Sequence, residues 1–513
     1  MYEPSTTPFP FWGAATTSKM GRDPLAIQNS SVVIYSNMIK GITNVTGRIR
    51  YNGFYCWVLT FIAKRLFLEN KTQVDNLQVQ IKYLRRSELL LAYIMTDNFP
   101  LVIGVSGSIY AKISYQSSDF ELDLKRGADL ENKPNVYWQN SNGIFGQYYL
   151  GVLSQLRLIF LPDAKHKTYR VTEEGKNLYE IFKKSLSPQN EDLFWEAISL
   201  GKIKKKDLSL FDKLALHLIN DSDELQEYTK IFCGYDSKDI EGIYIYHRLN
   251  SMKLLLTCIK SYKGTVNKQN CVLFFLEQNF CQVLKKDLQV SNEELSWFLY
   301  ELNELTHTAY EAFHFAVLYS ITEEPQPLIN VIRTLETAFQ KNKSEDNLTN
   351  DIYTYNSKLE KCYIEKEYGN LICEAAKMLC LLYSLTNTYL QQLIEHAQKE
   401  GYDIDHTGFA PLLLTRLTRS GKAKYDWAFI EDCIYSAIND HLWSSYTKSS
   451  IGQGIVHNYM IEDGLIWKLR QTDHIRTSPR LQNVLLYMED MKWITQKEGV
   501  YEITPFGLSI LDR

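Results

Sequence analysis

Apolar residues recur every three or four positions over most of this chain, the spacing of one helical face. Such runs follow one another at 208–220, 250–261, 269–286, 291–321, 328–341, 365–397 and 427–442, and they predict a helical middle from Leu208 to Tyr446. The breaks carry Pro or Gly, as in Glu324-Pro-Gln-Pro327, Gly369 and Gly421. Near the N-terminus, Asp23 reads as an N-cap and Pro24 as the first residue of a helix that runs to Lys40 and stops at Gly41. A second helix is expected from Asn44 to Asn70 and a third over 78–97. Residues 1–24 read as irregular, and 99–145 as loops with a few strands. The run Gly201-Lys-Ile-Lys-Lys-Lys-Asp207 reads as a solvated link, and the polar, acidic stretch 342–360 as a mobile one. The expectation is a mainly α protein in four regions: a basic helical region (1–98), a mixed α/β region (99–200), a helical middle (201–446) and a C-terminal module (447–513).

One pattern occurs twice. Leu153, Leu156, Leu158 and Ile159 align with Met488, Met491, Trp493 and Ile494. Tyr169, Val171, Thr172, Gly175 and Leu178 align with Tyr501, Ile503, Thr504, Gly507 and Ile510, and only the polar stretch between the halves differs in length. The grammar is an amphipathic helix, a short apolar strand, a polar turn, a returning strand, and a threonine that caps another helix. Glu173-Glu174 and Pro505 suit the helix starts that follow Thr172 and Thr504. This order resembles the recognition helix, wing and closing helix of a winged helix-turn-helix domain, with the first module at about 146–185. In the second, the recognition helix is expected to begin at Thr477-Ser478-Pro479-Arg480 with Ser478 as its cap. Arg476 and Arg480 then stand where phosphate or a base edge would be met. DNA contact is expected from at least one copy; wings that pack on protein are the plain alternative.

Charge sharpens this. The 513 residues carry a formal charge of −4, which neither requires nor excludes a polyanion, yet between residues 1 and 90 eleven Lys and Arg stand against five Asp and Glu. Arg48, Arg50, Arg85 and Arg86 are therefore expected on a second basic surface. Within Thr43–Leu59, Arg48, Tyr51, Tyr55 and Leu59 share a helical stripe, and the aromatics read as core. Nine cysteines without a C-x-x-C pair read as reduced thiols of a cytoplasmic protein. The N-terminal M-Y-E-P-S-T lacks the basic start and apolar run of a secretory signal, and no apolar stretch reaches membrane length, so no membrane partner is expected.

Candidates for chemistry are few. Glu304, His307, Glu311 and His314 share one helical face; E-x-x-H is a metal-ligand pair in di-iron bundles, but the second pair those bundles need is missing, and a buried hydrogen-bonded face is the simpler account. Glu121-Leu-Asp123-Leu-Lys125 alternates, so a strand would put Asp123 and Lys125 on one side, as in metal-dependent nucleases, with Asp97 or Asp119 as a further acid. An amphipathic edge strand is the competing account. Gly104-Val-Ser-Gly107 lacks both phosphate-loop patterns and reads as a turn or a helix start. His457 near Asp463, after Gly452-Gln-Gly454, is the one C-terminal pair to follow. No catalytic residue, metal or cofactor is assigned.

The strings G-R-D-P-L-x-x-Q (Gly21–Gln28) and G-I-T-x-x-T-x-R-x-R-Y-x-x-F-Y-x-W (Gly41–Trp57) resemble the N-terminal signature of poorly characterised bacterial proteins encoded among anti-phage defence genes. That resemblance implies a subunit of a defence complex and no defined chemistry. Two winged-helix-like modules around a helical middle are also similar in layout to kleisin subunits of SMC-type ATPases. The expected function is a non-enzymatic subunit binding DNA and protein partners, an SMC-like ATPase or a nuclease among them. The alternatives are a kleisin-like adaptor that binds protein only, and a metal-dependent nuclease using the E-L-D-L-K strand.

Overall fold

A computed structural model describes residues 23–69, 73–233, 242–264, 266–343, 351–402, 404, 407–418, 424–449 and 456–512. Residues 1–22, the 344–350 part of the acidic stretch, Gly421 and the 452–454 glycine run lie outside them. The protein is mainly helical, and the strands among the described residues are short. Among the described residues no helix is long and apolar enough to cross a membrane. The chain divides into two compact units, each assembled from separated stretches of sequence: residues 1–36 with 273–479, and residues 37–272 with 480–513.

The first unit is built on the helix Asn292–Ser320, 29 residues and so roughly 44 Å long. A capping box starts it: Ser291 Oγ accepts from the Glu294 backbone N–H at 3.2 Å, and the Glu294 carboxylate accepts from that of Ser291 at 3.0 Å. Apolar residues on several of its faces leave it buried nearly all round, so other helices must cover it. Tyr368–Thr386, Ile352–Glu365, Trp427–Lys448 and Ala410–Leu417 do so. A small antiparallel sheet completes the unit, with Leu465–Lys468 between Gln326–Pro327 and Tyr459–Glu462.

In the second unit the helix Tyr51–Glu69 carries the aromatic cluster into the core, as expected. Trp57 stacks on Phe61 with ring centroids 4.9 Å apart and meets Phe194 edge-on at 5.0 Å. The helix starts at Tyr51, later than expected, because Thr43–Thr46 closes its own turn: Thr46 Oγ1 accepts from the Thr43 N–H at 2.9 Å. The third helix, Leu77–Asn98, is capped by Asn76, whose side chain accepts from Gln78 and Val79. The lysine run after Gly201 is not a free link. Lys202–Lys204 is a strand paired antiparallel with Glu121–Asp123.

Both copies of the repeated pattern lie in this second unit, and they share the bonds at the helix end and at the capping threonine. In the first, helix Leu150–Gln155 leads into a hairpin, Ile159–Phe160 with Arg170–Val171, and then helix Glu173–Lys183. In the second, helix Leu481–Asp490 leads into Ile494–Lys497 with Val500–Ile503, and then helix Pro505–Leu511. Each first helix ends on a residue with positive φ, Arg157 at 54° and Lys492 at 59°. The next N–H then returns to the helix: Leu158 to the Leu153 carbonyl and Trp493 to that of Met488, both at 2.8 Å. The capping threonines accept from the Gly175 and Gly507 N–H groups at 3.1 and 3.0 Å. Glycine is required at both places. A Cβ on Gly175 would lie 2.2 Å from the Leu158 carbonyl oxygen, and one on Gly507 2.0 Å from that of Trp493. The shared letters of the repeat are thus the residues that fold the helix end back under the second strand.

Candidate nucleic-acid interface

The arginines expected at a nucleic-acid surface are held inside the protein. Arg48, Arg50, Arg85 and Arg86 are 9%, 2%, 1% and 2% exposed. Arg48 meets Asp490 at 2.7 Å, and the Ile49 N–H donates to the same carboxylate at 3.2 Å. Burial pushes the Asp490 carboxyl up to about 6 even with Arg48 beside it. Arg50 grips Glu224 through two bonds of 2.8 and 3.1 Å and donates to the carbonyls of Lys213 and Ala215. Arg86 is bidentate to Asp129 at 2.8 and 2.6 Å. Arg85 donates to the carbonyls of Ala128, Trp138 and Asn140. The expectation of a basic surface from these four is corrected accordingly: each guanidinium joins elements distant in sequence, because a buried cation must be fully bonded.

Arg476 and Arg480 also differ from expectation. Residues 471–479 form no regular element, and the helix begins at Leu481 with Arg480, at φ 60°, in the N-cap position and without a side-chain cap. Arg480 donates to the Ile42 carbonyl at 3.3 Å. Arg476 belongs to the first unit, where it lies 3.4 Å from Glu301, 3.8 Å from Glu304 and 3.9 Å from Glu360. Thr477, expected to open the helix, instead donates from its N–H and Oγ1 to Glu304 at 3.0 and 2.7 Å.

The acids and histidines of the helix Asn292–Ser320 do share a buried face, and the segment 457–477 satisfies much of it. His474 Nδ1 lies 2.8 Å from Glu311, and His307 Nε2 2.5 Å from the Gly408 carbonyl. His314 lies 3.0 Å from the Tyr459 hydroxyl and 4.4 Å, ring to ring, from His441. Burial lowers both of these histidines, His441 to about 3, and pushes Glu301 up to about 7. His441 uses both nitrogens as a neutral ring does: Nδ1 lies 3.1 Å from the Pro24 carbonyl, and Nε2 accepts from the Asn458 N–H at 3.1 Å. Among the described residues no group of three or more His, Cys, Asp or Glu is arranged to hold a metal ion. His457 lies against His441, with ring centroids 6.4 Å apart, while Asp463 forms the hairpin turn with Gly464.

The E-L-D-L-K stretch is not one strand. The strand ends at Asp123, whose carboxylate caps the helix Leu124–Ala128 by accepting from the Arg126 N–H at 2.9 Å. Asp123 and Lys125 therefore do not share a strand face. Asp97 is bonded by the Tyr115 hydroxyl. Gly104, at φ 81°, lies against the backbone of Gly47. All nine cysteines are free, and seven are buried.

What sets the two copies apart is exposure and charge. In the second, the helix Leu481–Asp490 is covered except at Gln482. Asp490 is buried against Arg48, Asn483 donates to the Thr43 carbonyl, and Tyr487 meets Phe232 edge-on at 5.3 Å. One edge of its hairpin is paired, where Tyr501 N–H donates to the Val266 carbonyl at 3.0 Å and Lys268 N–H to that of Gly499 at 3.1 Å, while Thr495 to Gly499 are exposed. The first copy packs Phe145 and Tyr149 against Tyr55, and the Gln80 amide bonds both the N–H and the carbonyl of Tyr169 at the base of its hairpin. Gln147, in the π-helical turn Phe145–Tyr149 and accepting from Trp138 Nε1 at 2.7 Å, and then Gly151 and Gln155 are exposed; the corresponding residues of the second copy are the exposed Gln482, the half-buried Leu486 and the buried Asp490. The first hairpin loop projects Lys165 and Lys167, and Asp163 shapes it by accepting from the Lys165 and His166 N–H groups at 2.8 and 2.7 Å. Arg170 packs 5.4 Å over the Phe160 ring. From Phe145 to Val171 four Lys and Arg stand against one carboxylate, whereas over the matching residues Arg480 to Ile503 three stand against four. These are the residues that the reading of the sequence passed over; their signal was the composition of the polar stretch between the halves of each repeat.

Neither a family model, nor a curated protein, nor a solved structure matches this chain.

Proposed function

We propose that the chain is a non-enzymatic subunit that binds duplex DNA through the first copy of its repeat, read as a winged helix, and that the second copy is a structural element of its own unit. One observation carries this: two copies that share their helix-end and capping bonds differ in that the first exposes a cationic hairpin beside Gly151 and Gln155, while the second is acidic and has Asp490 buried at the end of its helix. Glutamine amides on an exposed helix can meet base edges, and lysines and arginine on the adjoining hairpin can meet phosphates. The resemblance of the N-terminal strings to those of anti-phage defence proteins supports a place in a defence complex; Arg48, Arg50, Tyr51, Phe54, Tyr55 and Trp57 of the second string are buried in the second unit, where they serve the fold. A photo-crosslinking side chain tests the assignment, placed at Gln147 in one variant and at Gln482 in another, with a labelled duplex. The first variant is expected to crosslink and the second not. Crosslinking from position 482 alone, or from neither, would overturn it.

A further inference from the structure

A second surface of the same unit bears on the protein partner. The helix Ser108–Ser117 packs its inner face on Leu77–Asn98: Ala111 is buried, and the Tyr93 hydroxyl donates to Ser114 Oγ at 2.8 Å. Its outer face is apolar as well. Ile109 and Ile113, one turn apart, are 79% and 64% exposed, and Phe120, just past the helix, is 85% exposed. Single exposed apolar residues are ordinary, but three so prominent within twelve positions mark a contact surface.

Cations rim it. Lys112 lies between the two isoleucines on the exposed side. Lys205 is bound to the end of the helix: its N–H donates to the Phe120 carbonyl at 2.9 Å, its Nζ donates to the Ser118 carbonyl at 2.7 Å, and it sits 4.1 Å from the centre of the Tyr115 ring. Lys204 and Lys206 flank it, exposed. Of the nearby carboxylates, Glu121 is paired with Lys202 at 3.2 Å, which leaves Asp97, held by the Tyr115 hydroxyl, with Asp119 and Asp207 against four lysines.

We infer that this face docks an acidic amphipathic helix of a protein partner, its apolar stripe against Ile109, Ile113 and Phe120 and its carboxylates toward the lysine rim. The occupant follows from charge complementarity: a second copy of this chain would set lysines against lysines, and a nucleic acid would leave the apolar side chains without cover. The inference rests on the partner half of the proposed function and is independent of the DNA half.

The test uses the full chain and a fluorescent helical peptide of about 18 residues with a leucine stripe flanked by glutamates, compared with the same stripe flanked by lysines. The acidic peptide is expected to bind and the basic one not. Ile109→Asp with Ile113→Asp should weaken the complex at least tenfold with unchanged circular dichroism, and duplex binding by the same variant should be unaltered. Lys204→Glu with Lys206→Glu should weaken the acidic peptide while sparing the fold. Equal binding of both peptides, or of the parent and the isoleucine variant, overturns the inference. So does co-sedimentation with phosphatidylserine vesicles, or a dimer in sedimentation, if either is abolished by the isoleucine variant, since lipid or a second copy is then the occupant. Loss of DNA binding alone counts against the DNA half and leaves this docking surface standing.

Discussion

Replacing Lys165 and Lys167 together with glutamate is expected to lower duplex affinity by about ten- to a hundredfold and to reduce the salt slope by roughly two, because two phosphate contacts become two repulsions. The side chains stand on the loop of the first hairpin and are exposed, so the folded state should tolerate the change. The matched control is Lys492→Glu with Lys497→Glu in the second copy, also exposed but set among four carboxylates. That variant should bind duplex within about twofold of the parent, since a hairpin of this charge contributes little to the attraction. Fluorescence anisotropy at fixed low salt measures both. Equal losses in the two variants would mean that bulk charge, and no particular face, carries the binding.

The second large effect concerns stability. Arg50→Ala is expected to destabilise the unit by about 3–5 kcal/mol, the usual result of breaking a buried, hydrogen-bonded ion pair from one side. The substitution leaves the buried Glu224 carboxylate without its bidentate partner and the Lys213 and Ala215 carbonyls without their donor. Arg50→Lys should recover only part of the loss, because one ammonium cannot reproduce the fork that reaches a carboxylate and two carbonyls together. Urea unfolding followed by tryptophan fluorescence reads this. A loss below about 1 kcal/mol would show that Arg50 is solvated, contrary to the packing described here.

Much of this architecture was legible beforehand, and the reasons are physical. Helical spacing of apolar residues survives any tertiary arrangement, so the helices Leu77–Asn98 and Asn292–Ser320 stand where the pattern put them. The repeat was legible because its shared residues are those with no substitute: a glycine under a carbonyl and a threonine capping a helix. Pairing was not legible. A linear count of charge near the N-terminus cannot show that Arg48 meets an aspartate 442 positions away, or Arg50 a glutamate 174 away. Those guanidiniums looked like a surface because their partners lie elsewhere in the chain. Nor could alternation over five residues reveal that Asp123 ends a strand and caps a helix, since a capping bond depends on local geometry rather than period. The open copy was passed over for a related reason. Arginines stand before the second helix, but the two copies differ in the charge of their hairpins.

The affinity of the full chain for a short duplex, measured as salt is raised from 50 to 200 mM, tests the central claim most directly. If Arg157, Lys165, Lys167 and Arg170 supply three to four phosphate contacts, the account predicts a log–log slope of about −2.7 to −3.6 and a loss of roughly 40- to 150-fold over that range. No binding at 50 mM, or binding that salt leaves unchanged, would contradict it.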